Sequence, residues 1–229
     1  AARAATDDDV YAVQLDIALC GPVDPPRLCA ALQAVLARHP HLAARFHLEF
    51  DDPVQVVPAE PVLAWRHVTV EAGDAVDRLR AEERAAVCAL GDEAAFRGML
   101  VSTSSEASGA PERHHFVLTN HHVLLDGWSM PILLQEVFAS YQGHRLPPAP
   151  AFRRYVAWLA ERDVDAAHAA WREVLAGFDT PTLVGTSAGH GTQVVESCSL
   201  SAATTAALGE LARSCHTTVS TVLQGAFAQ

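Results

Sequence analysis

A hydrophobic run long enough to cross a bilayer is absent from the sequence. A membrane-spanning helix needs about 20 consecutive, mostly apolar residues, and every apolar stretch here is interrupted well before that length. The stretch AARAATDDDV at the start also lacks the basic end and the apolar segment of a secretory signal peptide. These absences predict a protein that has no membrane partner.

Cysteine is scarce and poorly placed for a structural role. The five cysteines (Cys20, Cys29, Cys88, Cys198 and Cys215) are odd in number and widely spaced, and no CxxC pair occurs. A disulfide framework or a structural zinc site is therefore not expected. We expect reduced thiols and a cytoplasmic location.

Positive charge is also in deficit. The chain has 16 Lys and Arg against 27 Asp and Glu, which gives a formal net charge of −11. This balance argues against nucleic acid as a partner. With 229 residues, 50% hydrophobic and 19% charged, the chain has the balance of a globular protein that buries a sizeable core.

Strand and helix patterns follow one another along the chain. Apolar residues alternate in residues 11–19, which predicts a strand with one buried face. Asp24 and Pro25 are typical of a helix start, and Pro40 predicts its end near His39. Ser129 is placed to cap a later helix. Further predicted strands are residues 45–50, 54–57, 65–70, 115–120 and 194–200, and further predicted helices are residues 75–90, 152–159 and 202–215.

This order predicts an α/β (α+β) fold with a mixed sheet flanked by helices. Residues 102–112 have the composition of a loop. A last helix begins near Ser220, and no cap or turn signal follows it before Gln229. We therefore expect the natural protein to continue past this residue.

The stretch NHHVLLDGWS, residues 120–129, joins a predicted strand to a predicted helix. Side chains at such junctions are exposed on a rigid scaffold. His121 and His122 are adjacent in an extended backbone, so that only one of them faces the reaction space. A neutral imidazole can accept or donate a proton near pH 7. Asp126 could hold a partner in place, and Gly127 permits a close approach that a side chain would block.

Two other chemistries are weaker candidates for this stretch. An adjacent histidine pair has poor geometry for zinc, and His114 and His115 do not complete a tetrahedral set, so we expect no metal. A hydrolase that uses Ser129 is disfavoured because no nucleophile elbow is present.

Three motifs carry a resemblance to a known family. Residues 121–129, HHVLLDGWS, contain the motif HHxxxDG; residues 38–46, RHPHLAARF, are similar to RHExLRTxF; and residues 152–158, FRRYVAW, are similar to YxDFAVW. By these motifs the chain is identified as a member of the condensation-domain superfamily of nonribosomal peptide synthetases. The superfamily also includes chloramphenicol acetyltransferase-like and wax-ester-type acyltransferases.

The chain departs from the family motifs at three positions. Pro40 stands where the second motif has Glu, Ala43 where it has Arg, and Arg154 where the fourth motif has Asp. None of these departures touches His122 or Asp126. They place in doubt the transfer of roles from those two motifs to this chain.

The resemblance implies a chloramphenicol acetyltransferase-like lobe that is half of a V-shaped, two-lobe domain. Residues 1–180 would form this N-terminal lobe, and residues 181–229 would begin the second lobe. Because most of the opposite wall of the active-site tunnel would be missing, the chain alone is expected to be inactive.

The implied reaction is peptide-bond formation by acyl transfer. An upstream carrier protein presents the donor thioester and a downstream carrier protein presents the acceptor amine, each on a phosphopantetheine arm. No cofactor is expected to be bound tightly, and an adenylation domain is the expected neighbour. His122 would be the reactive histidine, which either removes the amine proton or orients the amine, and Gly127 would offer a backbone N–H to the oxyanion.

Other residues receive weaker assignments. His121, Asp126, Arg45 and Trp128 would be structural at the site, with Arg45 or Arg38 as the ion-pair partner of Asp126. Four arginines of the late helices are candidates for docking the acidic carriers, although a solvated helix face is the favoured interpretation: Arg153, Arg154, Arg162 and Arg172.

Several alternatives stay open. The run LTNHHVLLDGWS resembles the subclass that accepts a donor ending in a D-residue. An ester-forming acyltransferase of the same superfamily would use a hydroxyl acceptor. An epimerization domain would invert a bound residue, and an inactive recruitment module would only bind partners.

Overall fold

The computed structural model of the chain describes residues 11–71, 75–86, 90–91, 94–104, 112–180 and 197–228. The chain divides into two compact units, Ala1–Val164 and Asp165–Gln229. The predicted lobe boundary after residue 180 adjoins residues 181–196, which lie outside the described residues, and it stays a prediction.

Strands and helices follow each other in the predicted mixed order. The strands are β1 (Ala12–Cys20), β2 (Arg45–His47), β3 (Val54–Val56), β4 (Ala64–Glu71), β5 (Phe96–Ser104) and β6 (Arg113–His121). The helices are α1 (Pro25–Arg38), α2 (Ala75–Ala86), α3 (Ser129–Tyr141), α4 (Phe152–Ala160), α5 (Val164–Val174), α6 (Ala202–Ser214) and α7 (Val219–Phe227), with a 3-10 turn at Pro40–Ala43.

A four-stranded sheet forms the centre of the first unit, in the order β1-β6-β5-β4. Strand β6 runs antiparallel to both β1 and β5, whereas β4 runs parallel to β5. The predicted mixed sheet is therefore confirmed. Strands β2 and β3 pair separately as a two-stranded antiparallel sheet.

Alternation along β6 places its side chains on two covered faces. Phe116 and Leu118 belong to the core that α1 and α3 complete. Val117 points to the other side and packs with Val76 and Leu79 of α2. Helices thus cover both faces of the sheet. Because successive side chains of a strand point to opposite faces, consecutive apolar residues in β6 need a packing partner on each face.

The second face of β1 is also covered. The side chain of Gln14 donates to the carbonyl oxygen of Arg80 on α2 at 2.8 Å. Asp16 lies 3.3 Å from the Arg80 guanidinium and 3.0 Å from His115. The alternation in β1 predicted one buried face, and the structure adds a polar contact layer on the other.

Helix α1 begins and ends where the sequence predicts. The Asp24 carboxylate accepts a hydrogen bond from the backbone N–H of Arg27 at 3.0 Å, and the helix stops at Arg38. It packs closely on β5, because a Cβ at Gly98 would lie 2.5 Å from Cδ2 of Leu32.

Some predicted elements are shorter than expected. The strand predicted for residues 45–50 covers only Arg45–His47. The helix predicted for residues 75–90 is described to Ala86, and residues 87–89 lie outside the described part. In the predicted loop 102–112, strand β5 continues to Ser104, while residues 105–111 are not described. Of the predicted strand 194–200, residues 197–200 have no regular structure and the rest is not described.

Two helices of the second unit, α6 and α7, have local caps. The side chains of Ser201 and Thr218 accept hydrogen bonds from the backbone N–H groups of Thr204 and Thr221, at the starts of α6 and α7. The helix predicted from Ser220 thus begins slightly earlier. In the part of the chain that the structure describes, no helix has the length and apolar character that crossing a membrane requires.

Candidate active site

The loop that follows β6 is tied to the neighbouring strands up to His122. The backbone N–H of His121 donates to the carbonyl oxygen of Ala95 at 2.9 Å, and that of His122 donates to the carbonyl oxygen of Tyr11 at 2.8 Å. These two bonds fix the backbone at the end of β6, and His122 begins a turn that the backbone N–H of Leu124 closes on the carbonyl oxygen of His121 at 3.0 Å.

His121 and His122 differ in their environment. His121 is 7% exposed, and its Nδ1 accepts a hydrogen bond from the backbone N–H of Val123 at 3.1 Å. His122 is exposed, and within the described ranges its side chain makes no hydrogen bond. His121 is placed to anchor the loop, and His122 is placed to meet a ligand.

Asp126 fastens the loop to the start of α3. Its Oδ1 accepts hydrogen bonds from the backbone N–H of Ser129 at 2.9 Å and from the Ser129 hydroxyl at 2.6 Å. These bonds hold the pKa of the Asp126 carboxyl below its usual value. The prediction that Ser129 caps α3 is wrong, because Ser129 is the first residue of the helix. The N-cap residue is Trp128, whose side chain makes no capping bond, and the Asp126 carboxylate accepts the Ser129 N–H instead.

The arginines expected to pair with Asp126 have other partners. Arg38 forms a two-point ion pair with Glu136 of α3, with Nε and Nη2 at 3.1 and 3.0 Å from the carboxylate oxygens. Arg45 Nη1 lies 3.5 Å from the carbonyl oxygen of Gly91. In the described part of the chain, Asp126 is held by Ser129 and has no arginine within ion-pairing distance.

A pocket of about 520 Å³ opens beside His122. Residues from all three sequence motifs line it, together with the first turns of α3: His39, His41, Leu42, His122, Val123, Leu124, Leu125, Asp126, Ser129, Ile132, Leu133, Phe152 and Tyr155. Stretches that are far apart in the sequence thus converge on one cavity within the first unit. The site that the sequence assigned to one loop has walls from the turn after α1 and from α4.

Two histidines of the turn after α1 form part of this wall. His39 Nε2 lies 2.8 Å from the Glu136 carboxylate that Arg38 also binds. The His41 ring stacks on Phe152 with a centroid distance of 4.4 Å and an interplanar angle of 18°. Burial, and then the charge of His39, lowers the pKa of His41 to about 4, so its imidazole is neutral near pH 7.

Gly127 and Trp128 lie at the open side of the loop. A Cβ at Gly127 would meet no atom within 4 Å, and its φ lies outside the left-handed region. The glycine is therefore not required by the backbone conformation. Trp128 is 88% exposed, so its predicted structural role finds no packing partner in the described residues.

The profile of the condensation domain family matches residues 2–229. The chain belongs to the condensation domain family. Chondramide synthase cmdD of Chondromyces crocatus is 37% identical over 96% of this chain, and bacitracin synthase 3 of Bacillus licheniformis is 29% identical over 93%. This chain spans only 6% and 4% of the lengths of these two synthases.

Solved structures show the same fold. The X-domain in the complex with OxyB from teicoplanin biosynthesis matches with a TM-score of 0.71 and 22% identity, over 95% of this chain and 50% of that one. The condensation domain from Monacolin K polyketide synthase MokA matches with a TM-score of 0.70 and 19% identity, over 94% and 53%. The predicted chloramphenicol acetyltransferase-like fold is confirmed, and the chain spans about half the length of these structures.

The four candidate docking arginines are divided between the two units. Arg153 and Arg154 are exposed on α4, and Arg162 lies just after it with its guanidinium 4.6 Å from the Trp158 ring centroid. Arg172 belongs to α5 in the second unit. A common carrier-docking patch stays a prediction.

Sequence reasoning assigned no site role to His39, His41, Glu136 or Phe152. The first two lie in the motif RHPHLAARF, and their spacing on either side of Pro40 was the available signal. Glu136 carried no signal, because its role depends on the packing of α3 against α1. The cysteines described as free are Cys20, Cys29, Cys198 and Cys215, and Cys88 lies outside the described residues.

Proposed function

We propose that this condensation domain forms a peptide bond by acyl transfer between two carrier-bound substrates. The observation that carries this proposal is the pocket in which His122 meets residues of the other two motifs. An exposed imidazole that makes no side-chain hydrogen bond among the described residues, on a loop beside a largely apolar cavity, is suited to contact a reacting group.

The reaction requires little activation of the donor. The acceptor amine attacks the thioester carbonyl carbon, a C–N bond forms, the C–S bond breaks, and the amine proton passes to the released thiolate. We assign to His122 the contact with the amine, as proton acceptor or as orienting group. A positioned imidazole of this kind contributes about 10²–10⁴-fold to the rate, and holding both tethered substrates together supplies much of the rest.

The loop contacts support this assignment of roles. His121 and Asp126 hold the loop through Val123 and Ser129, and Gly127 leaves open space in which its backbone N–H could meet an oxyanion. The proposal includes donor and acceptor carrier proteins with phosphopantetheine arms, a neighbouring adenylation domain, a cytoplasmic location, no tightly bound cofactor, and neither nucleic acid nor membrane as partner. The proposal also includes a donor substrate that ends in a D-residue.

The test uses the parent protein in which this chain occurs. A donor-loaded and an acceptor-loaded carrier protein are mixed with it, and intact-mass spectrometry follows both carriers over time. We expect the acyl mass to move from donor to acceptor, and His122→Ala to slow this transfer by at least about 100-fold. The matched control is His144→Ala, an exposed histidine outside the pocket lining, which should leave the rate unchanged.

Other outcomes identify the alternatives. Transfer to a hydroxyl but not to an amine would indicate an ester-forming acyltransferase. Inversion of a bound residue without movement of mass would indicate an epimerization domain, and carrier binding without any transfer would indicate a recruitment module. The 229-residue chain by itself should form no product, since it spans about half the length of the matched structures.

A further inference from the structure

His41 is a second imidazole in the wall of the pocket, and its ring is fixed by stacking. It lies in the turn Pro40–Ala43 that follows α1, and its ring contacts the first residue of α4. One side of the ring stacks on Phe152 at 4.4 Å, and its surroundings include the edge-on ring of His39 at 6.0 Å. These ring contacts set the orientation of His41 without using either of its nitrogens.

Three other polar side chains of the pocket, those of His39, Asp126 and Ser129, are already paired. The His39 imidazole contacts Glu136 at 2.8 Å, and the Asp126 carboxylate accepts from Ser129. By contrast, within the described ranges the ring nitrogens of His41 have no hydrogen-bond partner. The enclosed side-chain atoms that lack a partner are elsewhere in the described residues, at His114 and Asn120. The His41 nitrogens are therefore accessible for a bound molecule.

The charge state of His41 defines what it can bind. Because burial lowers its pKa to about 4, the ring is neutral across the physiological range and offers one N–H donor and one nitrogen acceptor. A neutral ring cannot form an ion pair with a carboxylate or an ammonium group. An amide has the matching set, since it also carries one donor N–H and one acceptor oxygen.

The rest of the wall is suited to an uncharged chain. Leu42, Leu124 and Leu133 line the pocket and are at most 8% exposed, and Phe152 lies against His41. A mostly apolar cavity with a few fixed polar groups is the usual form of a small-molecule site, in which the polar groups set the orientation of the ligand. Both the peptide end and the pantetheine end of an acyl-pantetheine contain amides.

We propose that His41 is a substrate-contacting residue that hydrogen bonds an amide of the acyl-pantetheine substrate. This inference rests on the proposed function, and it adds a second contact besides His122. The turn after α1 would position the acyl chain, while His122 contacts the reacting amine. His41 would therefore affect which substrates bind.

The test measures binding of unreactive analogues to the parent protein by calorimetry. Each analogue is a peptidyl-pantetheine in which a thioether replaces the thioester. The first keeps all amides, the second has a trans-alkene in place of the peptide amide nearest the sulfur, and the third has a trans-alkene in place of the pantetheine amide nearest the sulfur. The alkene keeps the shape of an amide and removes both hydrogen-bonding groups, so the two arms distinguish the peptide from the pantetheine as the source.

Two variants separate hydrogen bonding from stacking. His41→Phe keeps the stack on Phe152 and removes the nitrogens, whereas His41→Gln keeps a donor and an acceptor without the ring. We expect the wild type to bind the amide analogue about tenfold more tightly than one of the alkene analogues. His41→Phe should bind both with equal Kd, and His41→Gln should retain part of the difference.

A purely structural role for His41 would change the Tm and the affinity for all analogues alike, and would not change their ratio. The inference is overturned if His41→Phe keeps the full tenfold ratio, or if the wild type shows no difference with either alkene. Since these analogues cannot react, the result is independent of the carrier assay. If acyl transfer occurs but the analogues bind equally, the role of His41 is removed and the proposed function stays intact. If the analogues bind differently but no acyl group is transferred, the amide contact of His41 stands and the proposed function is removed.

Discussion

Two glycines of the first unit show how much one missing side chain can matter. A Cβ at Gly98 would lie 2.5 Å from Leu32 and 3.0 Å from Trp65, both in the packed core. A Cβ at Gly127 would meet nothing within 4 Å. Gly98 allows α1 to approach the sheet closely, whereas no described atom would contact a side chain at Gly127.

We therefore expect alanine to reduce stability at Gly98 and activity at Gly127. Gly98→Ala should lower the free energy of unfolding by about 1–3 kcal/mol, because the added methyl group overpacks the core. Gly127→Ala should change it by less than about 0.5 kcal/mol and should reduce acyl transfer. Urea unfolding at pH 7 and the carrier assay measure the two effects. Equal stability of the two variants would contradict the close packing at Gly98.

At the scale of elements, the loop between β6 and α3 depends on one carboxylate. Asp126 accepts both the backbone N–H and the hydroxyl of Ser129, and it satisfies one of the N–H groups that a helix start leaves unpaired. The loop geometry that presents His122 is thus coupled to the capping of α3.

Replacement of Asp126 tests the contribution of this cap to stability. Asp126→Ala should lower the Tm by roughly 2–4 °C, because α3 loses its capping side chain. Asp126→Ser should recover part of this loss, since a serine hydroxyl can also cap a helix. Circular dichroism melting measures both. A Tm of Asp126→Ala equal to that of the wild type would show that the cap does not stabilise α3.

At the scale of the whole molecule, acid should destabilise the folded chain. The pKa of His41 is lowered from 6.5 to about 4 by burial, so the neutral ring stabilises the fold above pH 6.5, and this contribution is lost as the pH falls toward 4. The pKa of Glu136 is also lowered, mainly by its hydrogen bond with Arg38. Its contribution is present above its ordinary value of 4.5 and is lost as the pH falls further.

Replacement of His41 by phenylalanine should remove the first of these effects. Between pH 7 and pH 4.5 the wild type should lose about 1–2 kcal/mol more unfolding free energy than His41→Phe, after allowance for solvent screening. Urea unfolding at the two pH values measures this difference, and His144→Ala, at an exposed histidine, should follow the wild type. Parallel losses in the wild type and His41→Phe would contradict the lowered pKa.

Several elements could be predicted because their signals are local. Asp24, Pro25 and Pro40 act on their immediate neighbours, and they placed the start and end of α1 correctly. The alternation in residues 11–19 likewise predicted β1. The HHxxxDG motif identified the loop that presents His122. The strand before this loop and the helix after it could also be predicted from neighbouring residues alone.

Tertiary structure decided the remainder of the site. Arg38 pairs with Glu136 rather than with Asp126, and that pairing depends on the packing of α1 against α3. His41 acquires a neutral ring and a fixed orientation only where Phe152 of α4 covers it. The sequence by itself determined the order of strands and helices and the loop that carries His122, because these follow from neighbouring residues. The walls of the pocket depend on contacts between distant residues, and only the folded chain brings those residues together.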